Sequence, residues 1–277
     1  MSCDKPLASL LLSALSVTSA FEPVTRSLAG KLPVVTVHNQ WSRQVPYTEA
    51  LDWQRRLRDE RVAAIRESPD AAPPLGALVL LQHPPVLTLG TSSTLHNLRC
   101  ATDELPFELV HTERGGEVTY HGPGQLVLYP VLDLRDYRQD VHWYMRALEE
   151  VVIRTLSSLG LPAGREPGLT GVWVNGAKAC AIGVKLSRWV SMHGLALNVC
   201  TDLRDFQHIV PCGIADRPVT SVAEQLARAG TPADELPGLD VVQALLLRHF
   251  AEVFACELVE ASEQPALGSE QALSLSR

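Results

Sequence analysis

The chain has 277 residues, 46% hydrophobic and 20% charged, with a net charge of -7. That length buries a full core in one large domain or two small lobes, and the acidic balance argues against nucleic acid as a partner, because phosphate binding calls for a basic face. Six cysteines, at 3, 100, 180, 200, 212 and 256, form no CxxC pair; this speaks against a disulfide scaffold or a zinc cluster and reads as free thiols in a reducing compartment.

Residues 1–32 read as an extension, disordered or targeting, ahead of a domain spanning 33–256. The stretch Leu7 to Phe21 has the length of a signal-peptide core but almost no preceding positive charge. No run is long and apolar enough to cross a bilayer, so no membrane partner is expected. Pro46 to Ile65 reads as a helix with Ala50, Trp53 and Leu57 on one face, followed by a Pro-rich loop from Arg66 to Leu75. Ala77 to Gln82 is a buried strand, His83-Pro84-Pro85 breaks it, and Val86 to Leu89 resumes extended.

Gln125 to Leu134 is a further strand, which Pro130 places at an edge or a bulge. Asp140 caps a helix that keeps its period to Ser158 and stops at Gly160. Asn175-Gly176, between Gly171–Val174 and Lys178–Lys185, is a strong hairpin signal. Leu195 to Val199 is a short strand. Ser221 to Glu224 is a capping box opening a helix to Gly230, and Asp240 caps a last helix to about Phe254. Residues 257–277 read as a polar, disordered tail. Strands and helices mix without strict alternation, so the fold class is α+β.

Three segments carry the chemistry. Arg114 to Gly124, RGGEVTYHGPG, holds four glycines and a proline in eleven residues, too many for an element interior. Such backbone bends and approaches a ligand closely, although the composition alone also fits an ordinary turn-rich loop. It lacks both nucleotide signatures, GxxxxGK[ST] and GxGxxG between a strand and a helix. Lys178 to Asn198, KACAIGVKLSRWVSMHGLALN, opens with a lysine beside small residues, where burial disfavours the charged amine; a hairpin-end lysine with its head in water is the plainer reading. His193 reads as structural. In HIVPCGI, Cys212 stands between Pro211 and Gly213, in a turn from which its side chain can project as a nucleophile. The other five cysteines read as inert.

Taken together, RGGEVTYHGPGQL, K-x-x-A-I-G followed by HGLALN, and PCGI resemble, in order and spacing, the octanoyltransferase family of lipoate biosynthesis. The resemblance runs from about Val34 to Phe254, with a cyanobacterial or plastid flavour in VPYTEALDWQ, GLTGVWV and KLSRWVSMHGLALNVC. It implies a catalytic domain like those of biotin and lipoate ligases, with a larger mixed sheet and a smaller sheet flanked by helices. It implies octanoyl transfer from octanoyl-acyl carrier protein to a lysine of apo lipoyl domains, in 2-oxoacid dehydrogenase complexes and the glycine cleavage H protein.

Cys212 is the implied acyl-thioester nucleophile, and Lys178 the residue that lowers its pKa and shuttles protons. Arg114, Gly115, Gly116, Glu117, Val118, Thr119, Tyr120 and His121, with Ala181, Ile182, Gly183, Gly194, Leu195 and Ala196, line the implied acyl tunnel. A thioester donor and an amide product need no ATP, no metal and no other cofactor. The implied compartment is a bacterial cytoplasm, or a plastid if residues 1–30 are a transit peptide. The alternatives are an ATP-dependent lipoate-protein ligase of the same fold, which has no need of Cys212, and a non-catalytic module that binds lipoyl domains.

Overall fold

The computed structural model describes residues 32–67, 76–210 and 217–262. Three expectations therefore fall outside the described residues: almost all of the 1–32 extension, most of the Pro-rich loop before Gly76, and the Pro211-Cys212-Gly213 turn.

An eight-stranded mixed sheet forms the frame. Its strands are β1 (Val34–Gln44), β2 (Gly76–Gln82), β6 (Gln125–Val131), β7 (Ala163–Glu166), β8 (Leu169–Val174), β9 (Ala177–Ser187), β10 (Val190–Asn198) and β11 (Glu257–Glu260). Across the sheet they run in the order β11-β1-β2-β6-β10-β9-β8-β7. β1 is parallel to both neighbours, and the other pairs are antiparallel. A small sheet, ordered β4-β3-β5, is built from β3 (Val86–Leu89), β4 (Glu108–His111) and β5 (Thr119–His121).

Helices cover both faces of the large sheet. On one face, α2 (Val141–Ser158) and α4 (Leu239–Phe254) bury Tyr144, Leu148, Phe250 and Phe254 against Val35, Leu78, Leu128 and Leu197. On the other, α1 (Tyr47–Glu67) sets Ala50 and Trp53 on Val79, Leu81, Val127, Tyr129 and Ala196. This follows from strand geometry: Leu78 and Leu80 point one way, and Val79 and Leu81 the other. The small helix α3 (Val222–Arg228) adds Val222 and Leu226 to the core on the α2–α4 face.

The helix expected over Pro46 to Ile65, the Asp140 cap and the Asn-Gly hairpin are all present. The Asp140 carboxylate accepts from the Trp143 N–H at 3.0 Å, and Asn175 and Gly176 both adopt positive φ, 50° and 76°. Other expectations need correction. The last helix starts at Leu239 after a Gly238 cap, so Asp240 lies in its first turn instead. Glu257–Glu260 is no tail: it adds a parallel edge strand to β1. Residues 119–121 lie between glycines yet pair with β3, where a three-residue strand suffices.

Pro130 sits in a central strand rather than at an edge. The β6–β10 ladder stops at the Leu128–Leu195 pair, so the missing N–H breaks no bond there. The Pro130 carbonyl accepts from the Ser191 hydroxyl at 2.8 Å. β10 begins at Val190, five residues before the expected strand, which brings His193 inside the sheet.

Candidate active site

A cavity of about 450 Å³ opens where β9, β10 and β6 meet the small sheet, the start of α1, the start of α2 and the start of β8. That volume lies in the range of roughly 300–1,000 Å³ typical of small-molecule sites. Lys178 and Val184 both line it. Six residues of strand separate them, so the cavity follows β9 for roughly 20 Å.

Small residues make the room. Gly183 and Gly194 face each other across β9 and β10, as do Ala181 and Ala196. A Cβ on Gly183 would stand 2.8 Å from the Gly115 carbonyl oxygen, and one on Gly194 would overlap the Leu128 carbonyl oxygen. Glycine at these two positions is therefore set by neighbouring backbone.

The Arg114 loop is docked onto the rim by its own backbone. Gly115 N–H donates to the Val184 carbonyl at 3.0 Å, and Thr91 N–H to the Arg114 carbonyl at 2.9 Å. The Arg114 guanidinium, buried, donates to both the carbonyl and the hydroxyl oxygen of Thr88, at 2.8 and 2.9 Å. It ties the loop to the small sheet.

Thr119 and His121 face the cavity, whereas Val118 and Tyr120 do not line it. They pack instead on Leu87, Phe206 and Ile209 beneath the small sheet, with the Tyr120 hydroxyl donating to Asp205 at 2.5 Å. Strand alternation explains this correction: in a three-residue strand, neighbours must point opposite ways. The remaining twelve expected lining residues, from Arg114 to Ala196, do border the cavity.

Lys178 stands at one end, 7% exposed, with Nζ 4.9 Å from the centroid of the Trp173 ring. Its backbone is held from the far side. Lys178 N–H donates to the Pro218 carbonyl, and Thr220 N–H donates to the Lys178 carbonyl, both at 2.9 Å. Pro218 follows Cys212 by six positions in the chain. Burial pushes the thiol of Cys256 up to about 12 and raises those of Cys180 and Cys200, which disfavours the reactive thiolate at each.

A polar chain joins the motif segments. His121 Nδ1 meets Gln125 Oε1 at 2.8 Å, Gln125 Nε2 donates to Asn198 Oδ1 at 2.9 Å, and Asn198 Nδ2 donates to the Thr220 carbonyl at 3.0 Å. Thr220 is bonded to Lys178 in turn.

The cavity is also lined by Tyr47 and Tyr129, which the sequence did not single out, and by His193, which read as structural. His193 has φ of 58°, is 1% exposed, and neither ring nitrogen has a hydrogen-bond partner. Gln54 holds its backbone N–H at 2.8 Å. The Tyr129 hydroxyl meets His83 Nε2 at 2.7 Å, and His83 Nδ1 meets the Val45 carbonyl at 2.6 Å. Burial lowers the pKa of His83 and His193 to about 4 each, and that of His121 well below its usual value, so these imidazoles are neutral at pH 7. Among the described residues no group of three or more His, Cys, Asp or Glu side chains is placed to hold a metal ion.

Residues 46–250 match the family model of the lipoyl protein ligase A/B catalytic domain. The octanoyltransferase of Nostoc sp. (strain PCC 7120) is 50% identical over 216 residues, 78% of this chain and 91% of that protein. The chain belongs to the octanoyltransferase family. The chloroplastic octanoyltransferase LIP2p2 of Arabidopsis thaliana is 46% identical over 222 residues, 79% of this chain and 78% of its own length.

Among solved structures, a bi-partite lipoate protein ligase from Thermoplasma acidophilum superposes with a TM-score of 0.57 at 18% identity, covering 84% of this chain and 88% of that one. Lipoate-protein ligase A bound with ATP gives 0.55 at 19% identity, covering 84% and 89%. These two likenesses establish the fold that the octanoyltransferase family shares with lipoate ligases. The expected mixed sheet with a smaller companion sheet is the fold observed.

Proposed function

We propose that this chain transfers an octanoyl group from octanoyl-acyl carrier protein to a lysine of an apo lipoyl domain, through a thioester on Cys212. The observation that carries the reading is the setting of Lys178. It is a buried lysine at one end of a cavity walled by small residues, and its backbone is hydrogen-bonded to chain only six and eight positions beyond Cys212.

In the first step the Cys212 thiolate attacks the thioester carbon, and the carrier's thiolate leaves and takes up a proton. In the second the acceptor lysine, as a free amine, attacks the acyl-enzyme. An amide forms, the Cys212 thiolate departs, and the amine gives up one proton. Lys178 as an ammonium favours the thiolate in both steps and relays the proton. Thioester-to-thioester exchange is nearly balanced and amide formation is downhill, so neither ATP nor a metal is called for. The acyl chain lies along Ala181–Gly183 and Gly194–Ala196, beneath the Arg114 loop.

Residues 33–262 form the catalytic unit in this reading, and residues 1–32 stand outside it. The acceptors are lipoyl domains of 2-oxoacid dehydrogenase complexes and the glycine cleavage H protein, and the compartment is a bacterial cytoplasm. The deciding assay supplies octanoyl-carrier protein and an apo lipoyl domain without ATP and with chelator present. The proposal predicts octanoylated lipoyl domain. Product only from free octanoate and ATP would assign ligase chemistry instead, and binding without product in either case would assign a recruiting module.

A further inference from the structure

We infer that β8 is the positioning strand for Lys178, with the Trp173 ring holding the Lys178 side chain at the end of the cavity as a cation. This inference rests on the reading of Lys178 as the group that activates the nucleophile.

Three independent features of β8 converge on one side chain. The first is the ring itself. Nζ lies 4.9 Å from its centroid, within the roughly 6 Å reach of a cation–π contact. Trp173 is 3% exposed and Lys178 7%, so the contact is largely shielded from water, where such attraction is strongest.

The second is a register slip. Val172 pairs with Cys180 but Trp173 pairs with Lys178, which leaves Ala179 as the extra residue of a bulge on β9. A bulge re-aims the side chains beside it. In an unbroken ladder Trp173 would stand opposite Ala179.

The third is Gly171, two residues before Trp173 on the same strand. Its φ is 118°, and a Cβ there would lie 2.5 Å from the Cys180 carbonyl oxygen and 3.5 Å from Lys178 Cε. Its N–H donates to Glu149 Oε1 at 3.1 Å. Glu149, 1% exposed on α2, is in turn paired with Arg146 and Arg165, at 2.6 and 2.9 Å. The strand beneath the lysine is thus pinned to a helix by a buried carboxylate. A lysine packed only for stability would need none of this alignment.

Among the described residues, Cys180 on β9 feels both Lys178 and Glu149 of α2, and the Arg217–Glu166 pair is the ion pair between the chain after Cys212 and β7. None is altered by substitutions at Trp173.

The full chain has four lysines, at 5, 31, 178 and 185, so labelling lysine Cε with carbon-13 gives a readable NMR titration. The Lys178 signal is assigned from its disappearance in Lys178→Arg. In the wild type that signal is displaced upfield by the ring. In Trp173→Met, a non-aromatic side chain, the displacement vanishes and the midpoint of the titration falls, because the cation loses the ring face. The alkaline limb of the kcat–pH profile for octanoyl transfer falls with it, while KM for the donor changes less than about threefold. Trp173→Phe restores most of both.

An unmoved midpoint in Trp173→Met overturns the inference, as does a moved midpoint with an unmoved alkaline limb. If Trp173→Met does not fold, Trp173→Phe decides: its weaker ring face predicts a smaller fall of both quantities, and unmoved values overturn the inference. A wild type that transfers nothing refutes the octanoyltransferase reading, while the NMR titration still reports on the Trp173 contact.

Discussion

Asn198 donates its side-chain N–H to the backbone carbonyl of Thr220 at 3.0 Å, and Thr220 gives its own N–H to the carbonyl of Lys178. One buried amide thereby connects the end of β10 to the chain returning after Cys212, and that chain to the lysine. The other end of the relay, through Gln125 to His121, reaches the glycine-rich segment. Three stretches far apart in sequence are fixed to one another by hydrogen bonds among buried groups, where low polarity strengthens each bond and makes a broken one costly.

Asn198→Leu should therefore cost about 1–3 kcal/mol of stability, since it removes the partner of one Gln125 amide N–H and of the Thr220 carbonyl in the interior. It should also lower kcat more than KM, because what it loosens is the seat of Lys178 and not the acyl channel. Urea unfolding and steady-state transfer kinetics, measured on the same preparation, check both.

Gly194→Ala should be more damaging than a glycine-to-alanine change in an ordinary strand. The new methyl would overlap the Leu128 carbonyl oxygen and stand 2.7 Å from Pro130 Cδ, inside a sheet that has no room to shift. Overpacking of this kind costs roughly 1–3 kcal/mol. A drop in melting temperature, with loss of acyl transfer beyond what unfolding explains, is the expected result.

Acid should destabilise the fold before carboxylates titrate fully. His83 and His193 have folded-state pKa values of about 4 against an unfolded value near 6.5. Below pH 6.5 the unfolded chain takes up protons that the folded chain refuses, so stability is full above pH 6.5 and falls progressively toward pH 4. At pH 5 the loss is about 2 kcal/mol for each histidine. Melting temperatures at pH 7, 6 and 5 should decline, and His83→Gln should flatten the decline; a flat profile in the wild type would refute neutral burial of these rings.

Much of this was legible in the sequence where a local rule decides. Asn-Gly at 175–176 favours positive φ, Asp140 is a strong cap, and the continuous apolar run Ala77 to Gln82 marks a strand buried on both faces. The Ala181–Gly183 and Gly194–Ala196 segments were marked only by the family resemblance; glycine in mid-strand alone signals close backbone approach, which is what Gly183 and Gly194 show. What stayed hidden depends on distant contacts. β11 pairs with β1, more than two hundred residues earlier, and Leu258 packs on the core that other distant segments build. Tyr47 reaches the cavity from the start of α1 and Tyr129 from the central strand β6, and no spacing within either segment signals it. His193 was read as structural because a lone histidine has no local signature of function; its unusual φ and unpartnered ring are visible only in three dimensions. Val118 and Tyr120 were swept in with their motif, although the alternation rule alone separates them from Thr119 and His121.

Lys178 should behave as an acid–base partner and not as a bare charge. Lys178→Met should fold normally, slow acylation strongly and shift the pH optimum upward. Lys178→Arg keeps the cation but does not release a proton, so it should retain part of the thiol's reactivity toward iodoacetamide while losing turnover. Alkylation rates and transfer rates across pH separate the two roles. Normal turnover in Lys178→Met would remove Lys178 from the mechanism.

The central claim is a covalent octanoyl-enzyme on Cys212, and intact-mass spectrometry of the full chain after brief exposure to octanoyl-carrier protein, without acceptor, tests it most directly. The wild type should gain the mass of one octanoyl group, and the adduct should discharge when apo lipoyl domain is added. Cys212→Ala should gain nothing and transfer nothing. An adduct that persists in Cys212→Ala, or product formed by that variant at the wild-type rate, would contradict the account.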